Sequence, residues 1–145
     1  RMGKVADGNT ISDYDKEEIK RQFSISTTMV PIEYEGAEGK IKINLLDTPG
    51  YFDFVGEVEE AVSAADAAII VVNCKAGIEV GTEKAWDLCE EYKLPRIIFV
   101  TNMDDDHASF RELILKLEKK FGRKIAPFQV PIRRKMKEAA KVFGC

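Results

Sequence analysis

The strongest constraint on the fold of this chain is a pair of continuous apolar runs separated by one amphipathic segment. The first run covers residues 67–73 and is rich in β-branched side chains, and the second covers residues 97–100. Such runs are typical of strands covered on both faces. Between them, a helix is predicted to open at Thr82 and to end at Pro95. Its apolar stripe consists of Ala85, Leu88, Cys89 and Tyr92. Strand, helix and strand in this order predict part of a mainly parallel sheet.

A hairpin and a second helix are predicted before this unit. Residues 29–35 and 41–47 have the composition of strands, and the connection 36–39 has glycine at both ends, which favours a hairpin. The helix is indicated by apolar residues that recur at helical spacing, namely Val55, Val58, Ala61, Val62 and Ala65. The polar stretch before residue 29 gives no comparable signal.

Further elements are predicted after the unit. Ser109, with Glu112 three residues later, predicts the start of a helix that ends at Gly122. Its predicted buried face consists of Phe110, Leu113, Ile114, Leu117 and Phe121. Residues 128–130 are a candidate short strand, and residues 134–143 a basic final helix. The alternation predicts an α/β fold with a mainly parallel sheet and helices on both of its faces.

Composition excludes several classes of protein. The 145 residues carry a net charge of −3, whereas free-standing nucleic-acid-binding proteins usually have a marked positive excess, so we expect no DNA partner. The longest apolar run, 67–72, is far shorter than the roughly 20 residues that cross a membrane. The amino terminus has no apolar signal segment. Three cysteines without metal spacing favour reduced thiols and a cytoplasmic location.

A carboxylate followed by a sharp turn comes at the end of the strand 41–47. Asp47 ends an apolar run that is typical of a buried strand, and Thr48, Pro49 and Gly50 follow it. A carboxylate placed there can hold hydrated Mg²⁺, and a glycine lets its backbone N–H approach a γ-phosphate. Asp also starts turns and caps helices in other proteins. The complete Thr-Pro-Gly sequence favours the magnesium and phosphate interpretation.

A second carboxylate follows the strand 97–100. Residues 101–104 read Thr-Asn-Met-Asp, and a carboxylate just past a buried strand can accept two hydrogen bonds from N1–H and N2–H₂ of guanine. Adenine lacks this pair of donors, so a carboxylate in this position excludes it. The alternative is a solvated acidic loop that favours the positive end of the following helix. We favour guanine recognition for Asp104 and the solvated loop for Asp105 and Asp106.

Residues 21–28, before the first strand, contain several hydroxyl side chains. A hydroxyl here can ligate Mg²⁺ while the main chain contacts the γ-phosphate, and the loop would then be ordered only with a bound triphosphate. A run of Ser and Thr also makes an ordinary polar lead into a strand. The residues themselves leave both interpretations open.

Several blocks of sequence resemble the GTP-binding domain of elongation factor G, and most closely that of the bacterial elongation factor G-like paralogues. The blocks are Gly3-Lys4-Val5 with Asp7-Gly8-Asn9-Thr10 and Ser12-Asp13, then Asp47-Thr48-Pro49-Gly50-Tyr51-Phe52-Asp53-Phe54 with Glu57-Val58, then residues 77–86 with Pro95-Arg96-Ile97 and Met103-Asp104. The resemblance extends to about residue 132. It implies a three-layer, P-loop NTPase-like translational GTPase fold, with GTP or GDP and Mg²⁺ as ligands. It also implies that the protein hydrolyses GTP on the ribosome, contacting rRNA and ribosomal proteins, to drive tRNA and mRNA movement.

The resemblance also implies roles on the phosphate side of the site. Asp47 would hold Mg²⁺ through water, and Gly50 would contact the γ-phosphate. Ser24 stands where the family has a magnesium-binding Thr in its first switch. That motif is usually Arg-Gly-Ile-Thr-Ile, and residues 21–25 here read Arg-Gln-Phe-Ser-Ile, so the hydroxyl is kept. The nucleotide-binding turn as a whole is Asp47, Thr48, Pro49 and Gly50.

Two departures from the family pattern affect chemistry. Beside Gly50 the family usually has a His that orients the attacking water, and here it is Tyr51. A phenol with a pKa near 10 stays protonated at neutral pH, so we expect slower hydrolysis than in the standard factor. The guanine motif is usually Asn-Lys-x-Asp and here has Thr101 and Asn102 before Asp104. Losing that Asn and Lys should weaken affinity for the base.

No G-x-x-x-x-G-K-[ST] loop, the motif that cradles phosphates, occurs in the 145 residues. We therefore expect residues 1–132 to be a partial GTP-binding domain of a longer protein, without its first strand and phosphate loop. Residues 133–145 are expected to form a basic helix with no match to the family. By itself the chain is expected to bind GTP poorly and to be inactive as an enzyme.

Two other functions stay open. The altered Tyr51, Thr101 and Asn102 are also compatible with a degenerate G domain that binds or protects the ribosome with little hydrolysis. A phospho-acceptor receiver domain likewise uses an Asp at a strand end. Such a domain lacks the Asp-Thr-Pro-Gly turn and needs a paired acidic cluster early in the chain, which this sequence does not contain.

Overall fold

The computed structural model describes residues 3–4, 7–37, 39–122 and 125–131, with the backbone alone at Phe52. Two compact units make up the fold. The first is built within residues 1–67 with 88–94, and the second within residues 68–87 and 95–145.

The first unit contains a hairpin between two helices. Its elements are α1 (Lys16–Arg21), β1 (Thr28–Gly36), β2 (Gly39–Asp47), a 3₁₀ turn (Phe52–Phe54) and α2 (Val55–Ala64). The strands are antiparallel, with Thr28 opposite Asp47 and Gly36 opposite Gly39. Gly39 has φ 112°, a conformation that residues with a Cβ rarely adopt. The predicted hairpin and the predicted helix α2 are both confirmed.

Helix α1 was not among the predicted elements. Asp15 caps it by accepting a hydrogen bond from the Glu17 N–H at 2.7 Å, and the Glu18 carboxylate accepts one from the Asp15 N–H at 3.4 Å. This reciprocal pair is a capping box. Gln22 ends the helix in the left-handed region, with φ 60°. A six-residue helix with a polar sequence has no apolar stripe to reveal it, so only the cap spacing could have indicated it.

The prediction that β2 is a buried strand is wrong. Ile41 is 50% exposed, Ile43 43% and Leu45 39%. Among the described residues β2 pairs with β1 alone, so the outer edges of this pair have no neighbouring strand.

The second unit contains the predicted strand–helix–strand arrangement. Its elements are β3 (Ala68–Asn73), α3 (Val80–Glu91), β4 (Arg96–Thr101) and α4 (Phe110–Phe121), with the last residues of α3 assigned to the first unit. The two strands are parallel, with Ala68 opposite Arg96 and Asn73 opposite Thr101. The parallel pairing is therefore confirmed.

Only one face of this parallel pair is buried, so the prediction of strands covered on both faces is wrong. Ile70 and Val72 are 5% and 1% exposed, whereas Ile69 and Val71 are 53% and 61% exposed. On β4 the exposed positions are Ile97, at 62%, and Phe99, at 56%. Alternating side chains of a strand point to opposite faces, and an unbroken apolar run does not say which face finds a partner.

The helices of the second unit follow their sequence signals closely. Helix α3 begins at Val80, two residues before the predicted start, because the buried Thr82 hydroxyl accepts the Glu79 N–H at 3.3 Å. Tyr92 lies beyond its end and is 45% exposed, so it is not part of a buried stripe. Helix α4 is capped by Ser109 as predicted. Gly122 ends it with φ 82°.

The core of the second unit includes α4 residues Leu113 and Leu117, which are 2% and 0% exposed. Trp86 of α3 stacks on Phe121 with ring centroids 4.2 Å apart. The Arg96 guanidinium lies 3.9 Å from the centre of the Trp86 ring. Trp86 is therefore a packing residue that binds a cation on its face.

Two predictions remain at the carboxyl-terminal end. Residues 128–130 form no strand, and Phe128 is 98% exposed, so the predicted short strand is wrong. The predicted helix 134–143 lies outside the described residues, as does the separate segment 133–145. Within the described part of the chain, no helix has the length and apolar character needed to cross a membrane.

Candidate functional site

The turn after β2 presents its backbone to open space. Asp47 is the last residue of β2 and is exposed, Thr48 is half-buried, and Pro49 is buried. Gly50 is exposed, and a Cβ added there would meet nothing within 4 Å. The proline thus anchors the turn while the glycine leaves its backbone accessible to a ligand.

A cavity of about 400 Å³ adjoins this turn. It is lined by Asp13, Gln22, Phe23, Ser24, Gly50 and Tyr51. The predicted residue Ser24 therefore lines one cavity of the first unit together with Gly50 and Tyr51, which are distant from it in sequence. The neighbouring Asp47 and Thr48 belong to the same turn but are not among the lining residues.

Two contacts fix the cavity walls. The Ser24 hydroxyl donates a hydrogen bond to Asp13 Oδ1 at 2.7 Å. The rings of Phe23 and Tyr51 pack with centroids 4.5 Å apart and planes tilted by 47°. Tyr51 is nevertheless 57% exposed, so its ring is supported on one side while much of the residue remains in contact with solvent.

The segment 24–27, called the Ser24 loop below, donates hydrogen bonds to two helices. Oε1 of Glu18 in α1 accepts the N–H of Ile25 at 2.9 Å and that of Ser26 at 3.2 Å. Oε2 of Glu57 in α2 accepts the N–H of Thr27 at 2.6 Å, and the Thr27 hydroxyl donates to the Glu57 carbonyl at 3.0 Å. Sequence analysis gave neither carboxylate a role, although Glu57 belongs to a block that resembles the elongation factor G family. Only the spacing of Asp15 and Glu18 carried a signal for the first.

In the second unit, the ends of β3 and β4 are joined by side chains. Asn73 Nδ2 donates to Asn102 Oδ1 at 3.2 Å, while Asn73 Oδ1 accepts the N–H groups of Lys75 at 2.9 Å and Ala76 at 3.2 Å. The Thr101 carbonyl accepts the Cys74 N–H at 2.9 Å. Asn102 has φ 54°, which Asn tolerates better than most residues.

In the segment 102–107, called the Asp104 loop below, Asp105 makes two contacts, although it was expected to be merely solvated. Asp105 Oδ1 accepts the His107 N–H at 2.9 Å, and Asp105 Oδ2 lies 3.1 Å from Lys75 Nζ. The His107 N–H and the Lys75 ammonium hold the pKa of Asp105 below its ordinary value of 3.8. Asp105 thus connects the backbone of its own loop to the Lys75 side chain. The Asp104 residue is exposed, as guanine recognition by a carboxylate requires before the base arrives.

The predicted site residues therefore form two groups. Ser24, Gly50 and Tyr51 surround one cavity, with Asp47, Thr48 and Pro49 in the adjoining turn. Thr101, Asn102 and Asp104 lie close together in sequence at the end of β4 in the second unit.

Comparison with known proteins identifies the kind of domain. The family model described as the elongation factor Tu GTP binding domain matches residues 1–142. The chain belongs to this family. The resemblance inferred from the sequence is thereby confirmed, and guanine-nucleotide binding is the common property of such domains. The expectation that the match ends near residue 132 is wrong, because the family model continues to residue 142.

Individual relatives agree with this assignment. An elongation factor G-like protein of Mycobacterium tuberculosis is 37% identical over 131 residues, which cover 90% of this chain and 18% of that protein. A protein named ribosome-releasing factor 2, mitochondrial, from Anopheles gambiae is 37% identical over 143 residues, covering 99% of this chain and 18% of that protein. Elongation factor G of Mycoplasma genitalium is 33% identical over 132 residues, which cover 91% of this chain and 19% of that protein.

A solved structure confirms the α/β fold class. The crystal structure of ttk003000868 from Thermus thermophilus matches with a TM-score of 0.83 and 34% identity. The match covers 97% of this chain and 20% of that one. The chain thus spans about a fifth of the length of the proteins it matches.

Proposed function

We propose that this GTP-binding domain serves a translational GTPase of the elongation factor G type, which binds GTP with Mg²⁺ and hydrolyses it on the ribosome. Ser24 and Asp47 are the proposed magnesium-binding residues, and Gly50 directs its N–H to the γ-phosphate. Tyr51 is the proposed residue that orients the attacking water.

The observation that carries the proposal is the shared cavity of the first unit. Ser24 comes from the loop before β1, and Gly50 with Tyr51 from the turn after β2, yet all three line the same space. The hairpin register supports this meeting, because Thr28 and Asp47 are opposite one another and bring the two loops to one end of the hairpin. The cavity is therefore lined by the Ser24 hydroxyl, the accessible main chain of Gly50 and the Tyr51 phenol, and this is where we place the phosphate.

The donor set of the first unit fits magnesium. Mg²⁺ prefers oxygen ligands and is usually held by one or two carboxylates together with substrate phosphates and waters. Asp47 offers an exposed carboxylate and Ser24 a hydroxyl oxygen. Among the described residues no group of three His, Cys, Asp or Glu could form a metal cage, and a nucleotide-dependent magnesium site needs none. When bound, the ion would neutralise charge on the phosphates.

The second unit supplies the proposed contacts to the base. Asp104 would accept hydrogen bonds from N1–H and N2–H₂ of guanine, and the exposed carboxylate is available for this. Asn102 and Thr101 would hold it in position, since Asn102 is joined to Asn73 on the neighbouring strand. Guanine is selected because adenine would leave the carboxylate without donors.

Action on the ribosome is proposed from the relatives' names. Ribosome-releasing factor 2 and elongation factor G are the names of proteins that are 37% and 33% identical to this chain over the matched residues. Both bacterial and mitochondrial proteins occur among these relatives, and the cytoplasmic location stays a prediction. Contacts with rRNA and ribosomal proteins belong to the same proposal.

The proposal is tested by titrating a fluorescent GTP analogue into the whole protein, with Mg²⁺ or with EDTA. We expect saturable, magnesium-dependent binding that GDP competes with and ATP does not. Asp47→Asn should weaken binding of the GTP analogue about 10–100-fold, which is the range typical for residues that hold a metal ion through one of its ligands. Asp66→Asn, at another exposed Asp of the first unit, is the matched control. Equal competition by ATP, or no effect of EDTA, would contradict the proposal.

A second candidate function is a ribosome-binding module with little hydrolysis. Tyr51 favours it, because the phenol is a poor base at neutral pH and its ring is packed against Phe23. Phosphate release from GTP by the whole protein, measured with and without ribosomes, separates the two. Stimulation by ribosomes supports the enzyme, and ribosome binding without stimulation supports the module.

A further inference from the structure

The Ser24 loop is held by main-chain hydrogen bonds to carboxylates, and these carboxylates come from the helices on either side of it. Glu18 belongs to α1, before the loop, and Glu57 belongs to α2, after the hairpin. Their acceptor oxygens serve the three consecutive N–H groups of residues 25–27. Neither carboxylate lines the cavity, so both act on the loop from outside the proposed phosphate site.

Glu18 is the buried anchor of this arrangement. It is 3% exposed, and a carboxylate so far from water is stable only if hydrogen bonds compensate for the lost hydration. Three N–H groups do so, from Asp15, Ile25 and Ser26. The same carboxylate therefore caps α1 and fixes the chain just past Ser24.

Glu57 ties the loop to the other side of the proposed site. Helix α2 follows the turn that contains Gly50 and Tyr51, and Glu57 lies in its first turn. Its carboxylate and its carbonyl each bind Thr27, at 2.6 Å and 3.0 Å. A double contact to one residue restrains both the position and the rotation of the loop's last peptide.

The Ser24 hydroxyl is oriented by the same architecture. Its proton is donated to Asp13 Oδ1 at 2.7 Å, so the lone pairs of its oxygen remain available for a cation. An outer-shell acceptor of this kind fixes the orientation of a metal-binding group and raises its basicity.

We infer that Glu18 and Glu57 are positioning residues, which hold the Ser24 loop so that the Ser24 hydroxyl faces the cavity. The inference rests on the proposed function in so far as that hydroxyl binds Mg²⁺.

Amide hydrogen exchange in the whole protein tests the hydrogen bonds from residues 25–27 to Glu18 and Glu57. The measurement needs no nucleotide, because the donors and acceptors all belong to the protein. Glu18→Ala should speed exchange at residues 25 and 26, and Glu57→Ala at residue 27, each by about ten-fold or more, as expected when hydrogen bonds to a charged acceptor are lost. Glu57→Gln keeps an acceptor oxygen and should restore much of the protection at Thr27. Glu17→Ala on α1 and Glu59→Ala on α2 are the controls.

Stability is measured alongside, because removing a buried carboxylate can affect the whole unit. Exchange in β1 and β2 serves as the internal reference, and Glu57→Ala alone carries the test if Glu18→Ala fails to fold. Faster exchange confined to the Ser24 loop supports the inference. Unchanged exchange at residues 25–27 in the Glu18 and Glu57 variants, or equal acceleration in the controls, overturns it.

A double-mutant cycle tests the link to magnesium. The measured quantity is the Mg²⁺ concentration at which binding of the GTP analogue is half-maximal. Glu57→Ala alone should raise this concentration several-fold. In a Ser24→Ala background the same change should have no further effect, since interacting residues are non-additive. Full additivity overturns the positioning role. A protein that binds no GTP at all contradicts the proposed function instead, and hydrogen exchange still decides whether the carboxylates hold the loop.

Discussion

The Ser24 loop and the Asp104 loop both carry predicted nucleotide-binding side chains, but they are held in different ways. The Ser24 loop depends on carboxylates from two helices, one of them only 3% exposed. The Asp104 loop is joined to its neighbour by the Asn73–Asn102 amide contact and by an ion pair whose side chains are 56% and 30% exposed. Hydrogen bonds to charged groups shielded from water contribute more than exposed ion pairs, which contribute about 0–1 kcal/mol.

This difference shows which contacts fix the position of each loop. Removing one carboxylate should release the Ser24 loop, because few other contacts replace it. The Asp104 loop instead follows from the parallel register that sets Asn73 opposite Thr101. Single substitutions in the Asp104 loop should therefore alter recognition of the base while leaving the loop's structure largely intact.

The sharpest test of that contrast is Asp104→Ala. We expect GTP affinity to fall about 100-fold, because two hydrogen bonds from guanine to a charged acceptor are lost together. Preference over ATP should disappear, while hydrogen exchange in the loop stays nearly unchanged. Competition titrations with GTP and ATP measure this, with Asp106→Ala as the control at a nearby exposed carboxylate. Retained preference for GTP in Asp104→Ala would show that the base is read elsewhere.

The second test concerns the rate of GTP hydrolysis at the cavity lined by Ser24 and Tyr51, and not the affinity for GTP. Tyr51→His should raise ribosome-stimulated phosphate release by about ten-fold or more, because a neutral imidazole can accept a proton near neutral pH, whereas a protonated phenol is a much weaker base. Binding of the GTP analogue should change little, since the phenol contributes no proposed contact to the ground state. Tyr34→His, at an exposed position of β1, is the control. An unchanged rate in Tyr51→His would mean that this position does not limit hydrolysis.

Local signals in the sequence were sufficient for most elements of the fold. Glycines at 36 and 39 marked the hairpin, Ser109 and Gly122 marked the ends of α4, and two apolar runs marked the parallel pair. What the sequence could not supply was the burial of each face. Ile69 and Val71 are as apolar as Ile70 and Val72, and only the arrangement of other elements decides which pair is covered.

The candidate site shows the same division. Asp47, Gly50 and Asp104 could be predicted as site residues because their backbone context, a strand end followed by a turn, is visible in the sequence. Glu18 was not, because it stands in a charged segment that has the composition of a solvated surface. Its burial follows from the N–H groups of Ile25 and Ser26, whose need for an acceptor becomes evident only when the loop is folded.

The smallest expected effect concerns Asp105, and it tests whether the ion pair or the strand register holds the Asp104 loop. The folded state lowers the pKa of Asp105, so its charged form contributes stability above the ordinary pKa, and this contribution is lost as pH falls through the lowered value. Asp105→Asn should therefore lower the melting temperature slightly at neutral pH, and the difference should shrink toward zero as the solution is acidified below the ordinary pKa of Asp, about 3.9. Thermal unfolding followed by circular dichroism across this range measures it, with Asp106→Asn as the control for loss of charge. A large difference at neutral pH that persists in acid would show that Asp105 acts through shape rather than charge. The Asp104 loop would then depend on the side chain of Asp105, much as the Ser24 loop depends on those of Glu18 and Glu57.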